Sequence, residues 1–132
     1  MGKYGQAALK AIRLIEKKEV TTPTEAWEFA TTELFGRGTA SQKKGCPRCT
    51  FLGLCEEGLV RGIEQKHDSN KHESKNKDYG IKAVQLLKHN SDLASNKNEL
   101  WKRVLEGEEK SHNAQMDVVL SLWNNHLIKP KD

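Results

Sequence analysis

The chain has 132 residues, with 22 lysines and arginines against 18 aspartates and glutamates, which gives a formal net charge of +4. This length fits one domain, or two small modules that share a core. No run approaches the roughly 18 apolar residues of a membrane span, and the first residues show no hydrophobic signal-peptide core. The three cysteines, an odd number, argue against a disulfide framework and fit a reducing compartment. We therefore expect a cytoplasmic protein with no membrane role.

Two helices are predicted near the start of the chain. Apolar residues at helical spacing predict the first over about residues 3–18. The second has a full start signal, because Thr22 is a good N-cap, Pro23 suits the first helical position and Glu25 completes a capping box. Gly36 is a typical helix end and stops this second helix.

The remaining pattern predicts a polar linker and four more helices. The third helix runs from near Pro47 to Gly58. Residues 64–78 contain no apolar side chain, and we interpret them as a solvated linker with exposed His67 and His72. Three helices follow, over about residues 79–89, 97–105 and 111–125. No stretch alternates as a strand would, so the predicted fold class is all-α.

The six predicted helices fall into two similar halves. Tyr4-Gly5 and Tyr79-Gly80 each open a helix with the same apolar spacing, and the pattern of residues 51–60 recurs over 119–128, 68 positions later. Because these blocks keep their order, we predict a diverged tandem duplication. Its parts are tri-helical repeat 1 over residues 1–63, the linker over 64–78 and tri-helical repeat 2 over 79–132. The sequence leaves open whether the repeats form one fused core or two lobes.

The sharpest short motif is the CxxC of Cys46 and Cys49, followed by Cys55. One interpretation is redox chemistry, with the Cys46 thiolate stabilised by a helix N-terminus. Another is a zinc site with His67 as fourth ligand, but Cys49 and Cys55 would lie about 240° apart around a helix. The second repeat aligns Ala114, Asp117 and Trp123 with the three cysteines. We therefore favour structural thiols, keep a redox role for Cys46 and Cys49 as an alternative, and predict no metal and no cofactor.

Residues 37–48, called here the basic segment, carry four cations and no acid: Arg37, Lys43, Lys44 and Arg48. Glycines and small hydroxyls surround them, and the segment leads into the N-terminus of the third helix. Free backbone N–H groups, the helix dipole and cationic side chains together favour an anion or phosphate site. The segment matches neither the P-loop nor the dinucleotide-binding pattern. The alternative is a solvated loop that is basic by chance.

The order of the helices also resembles a helix-turn-helix unit. In such a unit the third helix enters the DNA major groove, with Lys43, Lys44 and Arg48 at the end that meets the bases. The second repeat offers fewer such side chains at this place: Lys110, His112 and Asn113. The connection before the third helix is also longer than the usual turn.

Two segments of the chain resemble a family of small, uncharacterised bacterial proteins of unknown function. The first runs from Lys44-Gly45-Cys46-Pro47 to Val60, and the second from Ala114 to Leu120. The similarity covers most of the chain. It implies a bacterial, cytoplasmic origin but no activity, ligand or catalytic residue.

Two functions remain open from the sequence. The first is weak nucleic-acid or phosphate binding through Arg37, Lys43, Lys44 and Arg48, with an affinity that falls as salt rises. The second is a protein-interaction or assembly module, with a protein partner or a homo-oligomer and no nucleic-acid role. Nothing in the sequence requires an enzyme, and no catalytic residue is predicted.

Overall fold

A computed structural model describes residues 2–63 and 74–129. Six longer helices and one single-turn helix follow in this order: α1 (Lys3–Glu16), α2 (Pro23–Phe35), α3 (Ala40–Lys43), α4 (Gly45–Glu56), α5 (Lys75–His89), α6 (Lys97–Leu105) and α7 (Gln115–Asn124). A 3-10 segment, Ser91–Ser95, joins α5 to α6. Over the described residues no strand forms, and the one extended pairing is an isolated bridge between Val60 and Ile128. The predicted all-α fold is confirmed.

The start of α2 follows its local sequence signal. Thr22 Oγ1 accepts the backbone N–H of Glu25 at 3.2 Å, and the Thr22 hydroxyl donates to the Glu25 carboxylate at 3.1 Å. Pro23 stands at the first helical position, and Gly36 ends the helix with a φ of 90°. Both ends of α2 are therefore defined by residues close to them in sequence, without contacts from distant parts of the chain.

The fifth helix begins earlier than predicted. Ser74 caps α5 by accepting the N–H of Lys77 at 3.1 Å, so residues 75–78 are helical and not part of a linker. The reason is packing: Lys77 is buried, and a Cβ added at Gly53 of α4 would overlap its side chain. The rest of the predicted linker, including His67 and His72, lies outside the described residues.

The core is centred on α4 and α7. Helix α1 packs against α2 and α7, while α5 packs against α4, α6 and α7. The largest fully buried side chains come from both halves of the chain and belong to one cluster: Ile12, Trp27, Phe51, Leu54, Leu87, Leu100, Met116 and Leu122. None of the helices seen in the described residues is both long and apolar enough to traverse a bilayer.

The segments that follow α4 and α7 pair with each other. The N–H of Arg61 donates to the carbonyl of Leu127 at 2.7 Å, and the N–H of Lys129 donates to the carbonyl of Leu59 at 2.8 Å. The two donors, like the two acceptors, are 68 positions apart, which is the offset of the predicted repeat. The first helix of each predicted half also packs on the third helix of the other half. The duplication stays a prediction, and these reciprocal contacts support it.

Candidate functional site

The basic segment contains a helical turn, α3, where the sequence predicted a loop. Thr39 Oγ1 accepts the N–H of Gln42 at 3.2 Å and so caps this turn. The Gln42 side-chain amide donates to Thr31 Oγ1 of α2 at 3.1 Å. The Tyr4 hydroxyl of α1 donates to the carbonyl of Ser41 at 2.8 Å. The segment is therefore held against both α1 and α2.

The structure separates one of the four basic side chains that the sequence grouped from the other three. Arg37, Lys43 and Arg48 line one groove, which runs between α2 and the basic segment. Lys44 is not part of this lining, and its Nζ lies 5.8 Å from the centre of the Tyr4 ring in a cation–π contact. Three of the four predicted residues are thus brought together, and the fourth is not.

This groove has a volume of about 990 Å³ and two walls of opposite charge, so we call it the charge-split groove. Its charged lining residues are Glu25, Glu28 and Glu33 from α2, and Arg37, Lys43 and Arg48 from the basic segment. Across the groove, Arg48 Nη2 lies 3.8 Å from Glu28 Oε1. An exposed pair of this kind contributes about 0–1 kcal/mol, so it closes the groove only weakly.

Part of the charge in the groove has no ion-pair partner. Glu33 pairs with Lys10 of α1, and Glu25 accepts hydrogen bonds from the hydroxyls of Thr21 and Thr22. Within residues 2–63 and 74–129, neither Arg37 nor Lys43 takes part in an ion pair. These two cations are therefore available to a ligand or partner.

The rim of the groove carries Phe29, which is 58% exposed. Trp27, two positions earlier on α2, is fully buried and stacks on Phe51 with ring centres 5.1 Å apart. Positions two apart on a helix lie about 200° apart, so the two aromatic rings cannot share a face. Sequence reasoning missed both Phe29 and the acidic wall, although the Trp27–Phe29 spacing already indicated an aromatic side chain facing away from the core.

The helix-turn-helix hypothesis is not supported by the position of the third helices. The buried residues of α4 run without a break from Thr50 to Cys55, and α7 is buried at most of its positions. A recognition helix needs an exposed face that reaches base edges. Both helices are instead packed on several neighbours, and the base-reading role of Lys43, Lys44 and Arg48 stays a prediction.

Within the part of the chain that the structure describes, the three cysteines form no disulfide. Cys46 and Cys49 are half-buried free thiols, and Cys55 is buried. Burial raises the pKa of the Cys55 thiol far above its ordinary value, so this side chain stays protonated and serves as core. Among the residues with described positions, no group of His, Cys, Asp and Glu is arranged to hold a metal ion; His67 lies outside them. The redox interpretation of Cys46 and Cys49 stays a prediction.

The counterpart of the basic segment in the second half is occupied by internal contacts. His112 Nε2 accepts the N–H of Met116 at 3.0 Å, and its ring lies edge-on to Trp101 with centres 5.2 Å apart. Lys110 places its Nζ 5.2 Å from the centre of the Tyr79 ring. His112 thus supports the start of α7, whereas Lys110 lines a smaller groove of mixed charge together with Lys102 and Arg103 of α6.

Comparison with family models matches residues 1–129 to a family described as "Family of unknown function (DUF6979)". The expected resemblance to an uncharacterised family is confirmed, while a bacterial origin and a cytoplasmic location stay predictions. No curated protein and no solved structure matches the chain.

Proposed function

The chain belongs to this family of unknown function, and we propose that it acts by docking a protein surface in the charge-split groove. The observation that carries the proposal is the exposed Phe29 on the acidic wall of a groove whose opposite wall is basic. Binding surfaces for proteins combine a central aromatic anchor with polar and charged surroundings. The groove has both parts.

A phosphate polymer fits the same groove less well. Nucleic acid presents negative charge along its whole length, and here it would meet three glutamates of α2 beside the three cations. Glu28 already lies near Arg48, and Lys44 lies away from the lining. Of the two functions that the sequence leaves open, protein docking therefore fits this groove better than nucleic-acid or phosphate binding.

Photo-crosslinking tests the docking function. A photoreactive phenylalanine analogue at position 29 is compared with the same analogue at position 88, where Lys88 is exposed on α5. We expect nuclease-resistant, protease-sensitive adducts at position 29 only. These adducts must disappear when Arg37→Glu and Lys43→Glu are added, because the basic wall then repels the acidic partner. Equal labelling at positions 29 and 88, or labelling unchanged by the two reversals, would overturn the proposal.

Heparin chromatography tests the competing nucleic-acid hypothesis. The variant Arg37→Glu/Lys43→Glu is compared with Lys88→Glu/Lys102→Glu, which changes the net charge equally at exposed positions of α5 and α6. If the groove bound phosphate, the first pair would lower the eluting salt concentration much more than the second. We expect the two variants to elute together.

A further inference from the structure

The charge-split groove indicates the chemistry of its occupant. Arg37 and Lys43 line one wall without ion-pair partners in the described part of the chain, so the occupant needs carboxylates opposite them. Phe29 on the rim requires an apolar or aromatic group. An acidic helix with one exposed aromatic side chain meets both requirements.

Helix α2 is itself such a helix. Glu25, Glu28, Phe29 and Glu33 are all exposed on its outer side, and all four line the groove. The chain therefore carries, side by side, a receptor wall of cations and a ligand of matching charge. Among the described residues of one copy, the single ion pair across the groove is the long Glu28–Arg48 contact of 3.8 Å.

We propose that the occupant of the charge-split groove is a second copy of this chain. The inference rests on the proposed docking function and names its partner. A two-fold dimer uses the same patch on both copies, so the patch must be complementary to itself. Rotation about an axis that runs between the two walls of the groove satisfies this condition, because the acidic wall of each copy then faces the basic wall of the other.

The opposite flank of α2 is also charged. A second groove of about 540 Å³ lies between α1 and α2 and also includes Phe29. Its lining adds Lys10 and Arg13 from α1, together with Lys17 and Glu19 from the residues just after α1. This flank carries both signs of charge and its Lys10 already pairs with Glu33, so the dimer proposal rests on the charge-split groove alone.

Sedimentation of the purified chain over a wide concentration range tests the partner. We expect a reversible monomer–dimer equilibrium that weakens as salt is raised, because exposed charge pairs are screened. Phe29→Ser should raise the dissociation constant by roughly 30-fold or more, as expected for loss of a central aromatic anchor. Because Phe29 is exposed in the monomer, this substitution should not change the melting temperature of the monomer.

A charge-reversal pair makes the test specific. Variant A carries Arg37→Glu and Lys43→Glu, so both walls are acidic. Variant B carries Glu28→Lys and Glu33→Lys, so both walls are basic, while Glu25 is kept for its capping role. We expect A and B to be monomeric alone and to form a one-to-one complex when mixed.

The control Lys88→Glu/Lys102→Glu should dimerise like the natural sequence. If that sequence stays monomeric at every concentration and A does not bind B, the second-copy proposal is overturned. If position 29 still crosslinks to a different protein through the basic wall, the docking function survives with another partner. If neither the dimer nor a crosslink to another protein is observed, the proposed docking function is overturned as well.

Discussion

His112 supports the first turn of α7 through an acceptor that only the neutral imidazole has. The N-cap residue of α7 offers no side-chain acceptor, so the N–H of Met116 depends on His112 Nε2 at 3.0 Å. Burial lowers the pKa of His112, Lys97 and Lys44 act in the same direction, and Asp117 opposes them. Protonation would remove the acceptor and place a positive charge at a helix N-terminus, where it is unfavourable.

The stability of the protein should therefore fall with acidification through His112. In the unfolded chain this side chain titrates near its ordinary pKa of about 6.5, and in the folded chain at a lower pH. The stabilisation is present in full above the unfolded pKa and is lost as pH falls below it toward the folded pKa. Melting temperatures between about pH 7 and pH 5 should decline less steeply in His112→Asn. His89→Asn, at an exposed site, should keep the natural slope, and three equal slopes would contradict the prediction.

The packing of two elements, α4 and α5, depends on a missing side chain. Gly53 lies so close to α5 that a Cβ there would overlap the Lys77 side chain. Lys77 is only 6% exposed, and its Nζ lies 3.2 Å from Glu56 and 3.0 Å from Glu57 at the end of α4. Its aliphatic stem thus acts as core, while its charged end lies where a helix C-terminus favours a cation.

Gly53→Ala should therefore destabilise the protein although alanine is the better helix former. Overfilling a packed contact costs about 1–3 kcal/mol, and the shift of Lys77 would also loosen its two ion pairs. The matched control is Gly45→Ala in the same helix, where a Cβ would meet no atom within 4 Å. Urea unfolding should show a lower midpoint for Gly53→Ala and no loss for Gly45→Ala. Equal midpoints would show that the close contact has no energetic importance.

Elements with local signals were predictable, and elements defined by distant partners were not. Thr22 and Gly36 bound α2 through residues a few positions away, so the sequence alone predicts them. The start of α5 was missed because Lys77 contributes to the core through Gly53, more than twenty positions earlier. A pattern of apolar residues does not reveal a lysine stem that packs against a glycine of another helix.

The candidate site was predictable only in part for the same reason. The cations of the basic segment are visible as a run, but their directions depend on α3 and on the Tyr4 ring, which separates Lys44 from the other three. The acidic wall belongs to α2, an element that the sequence assigned to the core through Trp27. Helical geometry places Phe29 on the side of α2 opposite to Trp27. The sequence therefore predicts an exposed aromatic side chain but not the groove beside it.

At the scale of the whole molecule, each predicted half completes the core of the other. Helix α1 packs on α7 and α5 packs on α4, and the segments after α4 and α7 exchange hydrogen bonds of 2.7 and 2.8 Å. Neither half can therefore keep its buried surface if the other unfolds. This arrangement predicts one cooperative unfolding transition, whereas two independent lobes would give two.

Cavity-forming substitutions in each half test this cooperativity. Leu54 in α4 and Leu122 in α7 are both fully buried, so Leu54→Ala and Leu122→Ala should each cost about 2–5 kcal/mol. Because α4 and α7 each pack on helices of both halves, hydrogen exchange of the most protected amides should accelerate equally in α2 and α6 for either variant. Lys88→Ala, an exposed control on α5, should change neither. If Leu122→Ala accelerated hydrogen exchange in residues 74–129 alone, the two halves would be separate folding units. The packing of α1 on α7 and of α5 on α4 would then contribute little to stability.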